Sequence, residues 1–248
     1  MIANVVPRHM TGMTFEPAQQ PRQRFPLSPS PLFGNSLLGL LEDRWSEVSA
    51  DLRTVQLVAG EDLRPAGSMI FPSSAVVGLS LSDGDGHGVD VELVGRDGMI
   101  EPTIRAGARW IVRISGMAHA LDARLFEAAA ERSPALEEAL ARRRADRITE
   151  LQNAALCGRA HHQEGRLAGL LLRLQEQSGR SELDLSQEHL ADMLGVQRTT
   201  ITAVASSFKK AGAIRYSRGR ITVLSDETLA RKACACSQDA LAARRLDG

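Results

Sequence analysis

The chain has 248 residues, of which 43% are hydrophobic and 24% charged, and its 30 basic side chains balance its 30 acidic ones. That is the composition of an ordinary globular protein, long enough for one large domain or two modest ones, and it rules out a collagen-like, low-complexity or disulfide-scaffold chain. No apolar run approaches the length needed to cross a bilayer, "LAGLLL" at 167–172 being far too short, and the N-terminus lacks the charged-then-apolar layout of a signal peptide.

Cys157, Cys234 and Cys236 cannot all pair within one chain. A cytoplasmic protein without a membrane partner is therefore expected. The balanced net charge hides an uneven distribution. Residues 32–130 carry 14 acidic and 8 basic side chains, whereas 197–220 carry six basic ones and no acid. Such asymmetry points to a polyanionic partner for the C-terminal part.

Residues 1–31 hold six of the ten prolines and no periodic apolar face, so a tail without a packed core is expected there. From about residue 33 to 52, Leu37, Leu38, Leu41, Trp45 and Val48 recur at three- and four-residue spacings and predict a short helical entry. Short β-type runs punctuated by Gly, Pro, Ser and Asp follow. "VVGLSL" and "VDVELV", joined by "SDGDGHG", predict a hairpin with Val89, Val91 and Leu93 turned inward and Asp90 and Glu92 outward. "ARWIVRISG" at 108–116 reads as a further strand, and strands at this spacing suggest a small sandwich or barrel.

The segment "LDARLFEAAAERSPALEEALARRRADRITELQNAAL" reads as helix, interrupted at Ser133–Pro134, where an N-cap and a first-turn proline start a new one. Leu136, Leu140, Ile148, Leu151 and Ala155 line one stripe, with Arg144 in its middle, and this stripe is the expected dimerisation seam. The expected division is a tail at 1–31, a β-domain at 32–130, a pairing helix at 131–158 and a C-terminal domain at 159–248.

In "LSQEHLADMLG", Ser186 is a candidate N-cap, Leu190, Ala191 and Leu194 share a face, and Gly195 stops the helix. A second helix starts near Gln197, with Ile201, Val204, Ala205 and Phe208 facing the core. Its other face carries Thr199, Thr202, Ala203, Ser206 and Lys210, with Arg198 at the N-terminal edge. Two short helices joined at a glycine, the second presenting small polar residues and cations, describe a helix-turn-helix. "AIRYSRGRITVL" adds two short strands, a wing bearing Arg215, Arg218 and Arg220. Double-stranded DNA is the expected partner. Arg198, Thr199 and Thr202 are the candidates for base contacts, and Ser206, Lys209, Lys210, Arg215, Arg218 and Arg220 for phosphates.

Over 183–229 the sequence "LDLSQEHLADMLGVQRTTITAVASSFKKAGAIRYSRGRITVLSDETL" resembles the winged helix-turn-helix of the Crp–Fnr family of bacterial transcription regulators. The resemblance implies an α+β fold. Its parts would be an N-terminal cyclic-nucleotide-binding-like β-roll, a long dimerisation helix and a C-terminal winged helix-turn-helix. "LVAGEDLRPAGSMIFPSSAVVGLSL" resembles the early strands of that roll. Of three family reading positions, the first matches Arg198, while the second and third hold Thr199 and Ala203 in place of the usual Glu and Arg, which changes the half-site to be expected. The Gly-Glu pair that precedes the phosphate-binding Arg in cyclic-nucleotide binders has no counterpart: Gly98–Met99 stands in its region and Arg105–Ala106 lacks its partner. Control by cyclic AMP is therefore not expected. Nor is an N-terminal iron–sulfur cluster, since the first cysteine is Cys157.

"CGRAHH" places Cys157, His161 and His162 together, and Cys234 and Cys236 lie far along the chain, but the spacing matches no well-formed zinc pattern. No metal, cofactor or catalytic site is expected from it. The expected partners are DNA, a second copy of the chain and, for a regulator of this type, RNA polymerase; no small-molecule effector is identified. Two alternatives remain at this level: a β-roll enzyme with an accessory winged helix, and a protein–protein adaptor.

Overall fold

The computed structural model describes residues 34–41, 44–82, 88–102 and 107–237. The proline-rich 1–31, the hairpin tip 83–87, Arg105–Ala106 and the end of the C-terminal extension lie outside the described residues. The entry segment forms two single-turn helices, α1 (Ser36–Gly39) and α2 (Trp45–Val48). Leu37, Leu38, Leu41 and Val48 are buried, whereas Trp45 is 37% exposed and stands outside the expected stripe. Asn35 caps α1, accepting from the Leu38 amide, and its buried Nδ2 donates to the carbonyls of Pro72 and Gly98 at 2.8 Å each. One side chain thus fastens the entry to the sheets.

Seven strands follow: β1 (Arg53–Leu57), β2 (Asp62–Leu63), β3 (Ser68–Pro72), β4 (Val76–Ser82), β5 (Gly88–Val94), β6 (Ala108–Ile114) and β7 (Gly116–Asp122). They form two antiparallel sheets, ordered β1-β7-β3 and β2-β6-β4-β5. Val77, Leu79, Val94, Trp110, Val112 and Ala118 belong to the core between them. In β3 the period-two alternation serves two cores: Ile70 faces this interior, while Met69 and Phe71 pack against the flanking helices, where the Phe71 and Phe126 ring centroids are 5.3 Å apart.

The expected polar face of β5 is corrected by the structure. Glu92 is 5% exposed and pairs with Arg147 at 2.8 Å and Arg143 at 3.9 Å; Asp90 takes two bonds from Arg113, at 2.6 and 2.7 Å. The helices Pro134–Ala160 and Gln187–Leu194 cover the strand, and a β-bulge follows Asp90. Leu79 faces Glu92 and Ser80 faces Asp90, so Val91 is an extra residue that resets the alternation. Burial pushes both carboxyls above their ordinary range, and the arginines offset only part of that rise.

Helix α3 (Ala123–Ala130) leads to α4 (Pro134–Ala160), which Ser133 caps by accepting from the Leu136 amide, with Pro134 in the first turn. The expected seam divides. Leu136 and Leu140 are a correction to it: they are 0% and 7% exposed, packed with Leu37, Leu121 and Phe126 in the chain's own core. Ile148 and Leu151, at 58% and 37%, face outward. The first two turns of the helix lie against the β-roll and its flanking helices, so only the later turns are open to a partner.

The C-terminal part comprises α5 (Gln163–Ser178), β8 (Glu182–Leu183), α6 (Gln187–Leu194), α7 (Arg198–Lys210), β9 (Ile214–Ser217), β10 (Arg220–Val223) and α8 (Asp226–Lys232). Its core, which includes Leu171, Leu190, Ile201 and Phe208, continues into Val76, Leu93 and Ile114 of the roll. Arg180 reinforces the junction by donating to the carbonyls of Ser74 and Ser115 at 2.7 and 2.8 Å. The whole is a mixed α/β chain of antiparallel sheets, a long helix and a C-terminal helix-turn-helix. Among the described residues no helix is long and apolar enough to cross a membrane.

Candidate nucleic-acid interface

The helix-turn-helix is built from short-range chemistry. Ser186 accepts from the His189 amide to start α6, and Gly195 ends it at φ 63°, the left-handed region that favours glycine. The turn delivers the chain to α7, whose Ile201, Ala205 and Phe208 are buried, as the spacing predicts, while Val204 is half-buried. Arg198, Thr199, Thr202, Ala203, Ser206, Lys209 and Lys210 are all exposed. No acidic side chain stands in the first turn, and Lys209 and Lys210 occupy the last.

Two of these hydroxyls already have partners. Thr202 Oγ1 lies 2.7 Å from Gln187 Oε1 and 3.0 Å from the Arg198 carbonyl, which ties α7 to α6. Ser206 donates to the Thr202 carbonyl at 2.8 Å, so a contact with an acceptor-only phosphate requires that proton to be released. Arg198 and Thr199 are the open positions at the N-terminal end of the helix.

The wing is the β9–β10 hairpin. Arg218 (φ 50°) and Gly219 (φ 77°) both take the left-handed conformation that a two-residue hairpin turn demands. Thr222 stands opposite Arg215 and Arg220 opposite Ser217, so both arginines share the solvent face, while Ile214, Ile221 and Val223 are buried beneath it.

Sequence reasoning missed what pairs beside this face. Strand β8 lies along β10, and Arg220 meets Asp184 and Glu182 at 2.7 Å each. The Asp184 hydrogen bond, and then the charges of Asp184 and Glu182, hold the Arg220 guanidinium above its usual range. The run is acid-free along the chain but not in space. The available signal was the pair of acids in "ELDLS" just before α6.

Comparison with known proteins agrees with this geometry. Residues 165–232 match the family described as the Crp-like helix-turn-helix domain. Its fold is that of the Crp/Fnr regulators. FixK2 from Bradyrhizobium japonicum is similar at 15% identity and TM-score 0.62, over 74% of this chain and 98% of that one. A CRP-family transcriptional regulator from Thermus thermophilus is similar at 18% and 0.57, over 72% and 96%. A CooA mutant from Carboxydothermus hydrogenoformans reaches 18% and 0.56, over 83% and 97%. No curated protein matches the sequence. The family match covers the C-terminal winged domain, and the likeness to these structures is one of fold.

Proposed function

We propose that the chain is a sequence-specific transcription regulator of the Crp–Fnr type, a binding protein rather than an enzyme, which reads a near-palindromic DNA site as a homodimer. The observation that carries this reading is α7. It buries one apolar face and presents Arg198, Thr199 and small neighbours on the other, beside an arginine-bearing wing. A helix of this form fits the major groove, and two-fold pairing sets two of them on successive half-sites.

Arg198 and Thr199 read bases, with Thr202 orienting α7 through Gln187 and available to a base edge. Lys209, Lys210, Arg215 and Arg218 bind phosphate, and Ser206 and Arg220 join them once their internal partners give way. The exposed Ile148 and Leu151 extend the pairing surface on α4. Control by cyclic AMP is not part of this reading, because the Gly-Glu pair is missing from 95–107.

The test begins with the DNA fragments that co-purify with the protein, which define an operator. Binding of wild type, Arg198→Ala and Arg218→Ala is then measured on operator and scrambled duplexes. A bidentate Arg–guanine contact discriminates by about 1–3 kcal/mol, so Arg198→Ala relaxes preference at one guanine per half-site. Arg218→Ala weakens both duplexes alike and reduces the salt slope by about one per protomer, about two for the dimer. Equal losses on both duplexes for Arg198→Ala would refute the assignment of the reading head.

A further inference from the structure

The three cysteines, which the DNA-binding reading leaves unused, converge. Cys157 lies near the end of α4, and its Sγ stands 3.4 Å from His161 Nδ1 one turn on and 3.2 Å from Cys234 Sγ, which follows α8. The three ligand atoms lie within 4.8 Å of one another. Cys236, two residues beyond Cys234, is 8% exposed and close enough to Cys157 to interact with its thiol, but its sulfur lies outside the three-atom group and must turn toward it to act as a ligand. His162 is exposed and outside the group.

This meeting is prepared by α5. Gly165 lets the Cys234 segment approach, since a Cβ there would come within 3.3 Å of Cys234 Cβ, and a Cβ at Gly169 would collide with the Ser237 side chain. The Cys234 amide donates to the Gly165 carbonyl, and Lys232 pairs with Glu164 at 2.6 Å. Two glycines one turn apart therefore cradle the turn that carries Cys234 and Cys236.

We propose that Cys157, His161 and Cys234, with Cys236 as fourth ligand, bind a zinc-class metal ion that clips the end of the long helix to the segment behind the winged helix. The donor set of thiolates and one imidazole is that of a closed tetrahedral zinc site. With metal–sulfur bonds of about 2.3 Å and metal–nitrogen bonds of about 2.0–2.1 Å, tetrahedral geometry separates two sulfurs by about 3.8 Å and sulfur from nitrogen by about 3.6 Å. The observed 3.2 and 3.4 Å need only a small expansion. A Cys157–Cys234 disulfide would instead require the sulfurs to close to about 2.05 Å, a larger movement. Binding releases the thiol protons to solvent and involves no redox step.

The test uses the full chain, stripped of metal, kept reduced with a phosphine and titrated with Co²⁺. One ion per chain is expected, with thiolate-to-cobalt charge-transfer bands, the visible bands of tetrahedral cobalt, and displacement by Zn²⁺. Cys234→Ser and His161→Ala should each weaken binding by more than the roughly 10–100-fold that loss of an outer-shell partner costs, while His162→Ala leaves it unchanged. The wild-type spectrum decides the matter even if a cysteine variant fails to fold. Absence of the charge-transfer bands, binding that survives Cys234→Ser, or a chain that takes no Co²⁺ but forms a quantitative Cys157–Cys234 disulfide under mild oxidant would each overturn the proposal. None of these readouts involves DNA, so failure here is distinct from failure of the regulatory reading.

Discussion

Asp184 and Glu182 hold the wing cation Arg220 in reserve, and replacing them by Asn and Gln should tighten DNA binding. In the wild type the guanidinium Nε and Nη1 each lie 2.7 Å from a carboxylate oxygen, and all three side chains are at least half exposed. Exposed ion pairs add little to stability, so the double variant should unfold at the same denaturant concentration as wild type. Binding should change more. A freed Arg220 adds one phosphate contact per chain, two per dimer, which steepens the plot of log affinity against log salt by about 1.8. That slope corresponds to about a sixtyfold gain at 0.1 M salt relative to 1 M, and to an extra loss of about 12-fold between 50 and 200 mM. Fluorescence anisotropy on a labelled duplex at four or five salt concentrations reads both quantities. Arg220→Ala should matter little in the wild-type background and cancel the gain in the double variant. An unchanged slope, or a gain that survives Arg220→Ala, would show that the carboxylates do not restrain this cation.

Leu136 is fully buried, so Leu136→Ala should cost about 2–5 kcal/mol in urea unfolding, whereas Ile148→Glu on the exposed turn should leave the unfolding midpoint unchanged and shift sedimentation toward monomer; the opposite pattern would restore the whole stripe as a seam. Burial raises the Glu92 carboxyl above its ordinary 4.5, so its contribution to stability is fullest below that pH and declines as pH climbs through the raised folded value. Glu92→Gln should remove that decline, and urea midpoints that keep the same pH profile would contradict it. Glu150, buried and bonded by Arg143 at 3.2 Å and Arg173 at 2.6 Å, joins α4 to α5. Glu150→Ala should raise hydrogen exchange in β5 and α5 before α7, and a uniform rise along the chain would count against a local joint.

The helix-turn-helix was legible because each of its signals is local. Ser186, Gly195 and the 201/204/205/208 spacing fix caps, turn and buried face within some twenty residues, and the structure places them so. The burial of the β5 acids was not legible, because the elements that cover them, α4 and α6, lie far along the chain, and a bulged residue interrupts the alternation between them. In α4 one apolar stripe serves two surfaces. Leu136 and Ile148 are chemically alike, and only the position of α1, β7 and α3 decides which is covered. Partners of Arg220 and Cys157 come from residues 36 and 77 positions away, beyond any pattern of spacing.

The long helix touches the roll, α5 and the segment after α8, each through a different kind of contact. Its first turns are apolar and packed beside Phe126 and Leu121, so they move with the β-roll. Its middle is ionic: Arg143 and Arg147 reach Glu92 of β5, and Glu150 holds Arg173 of α5. Its last turn meets the end of the winged domain through sulfur. A cavity of about 450 Å³ lies between these contacts, lined by Val91, Leu151, Ala154, Leu170 and Met193 among others. Apolar packing resists displacement, whereas the Glu92 ion pairs respond to pH and the proposed clip to metal. A change in solution conditions would therefore act on the middle and far end of α4 while its root stays fixed.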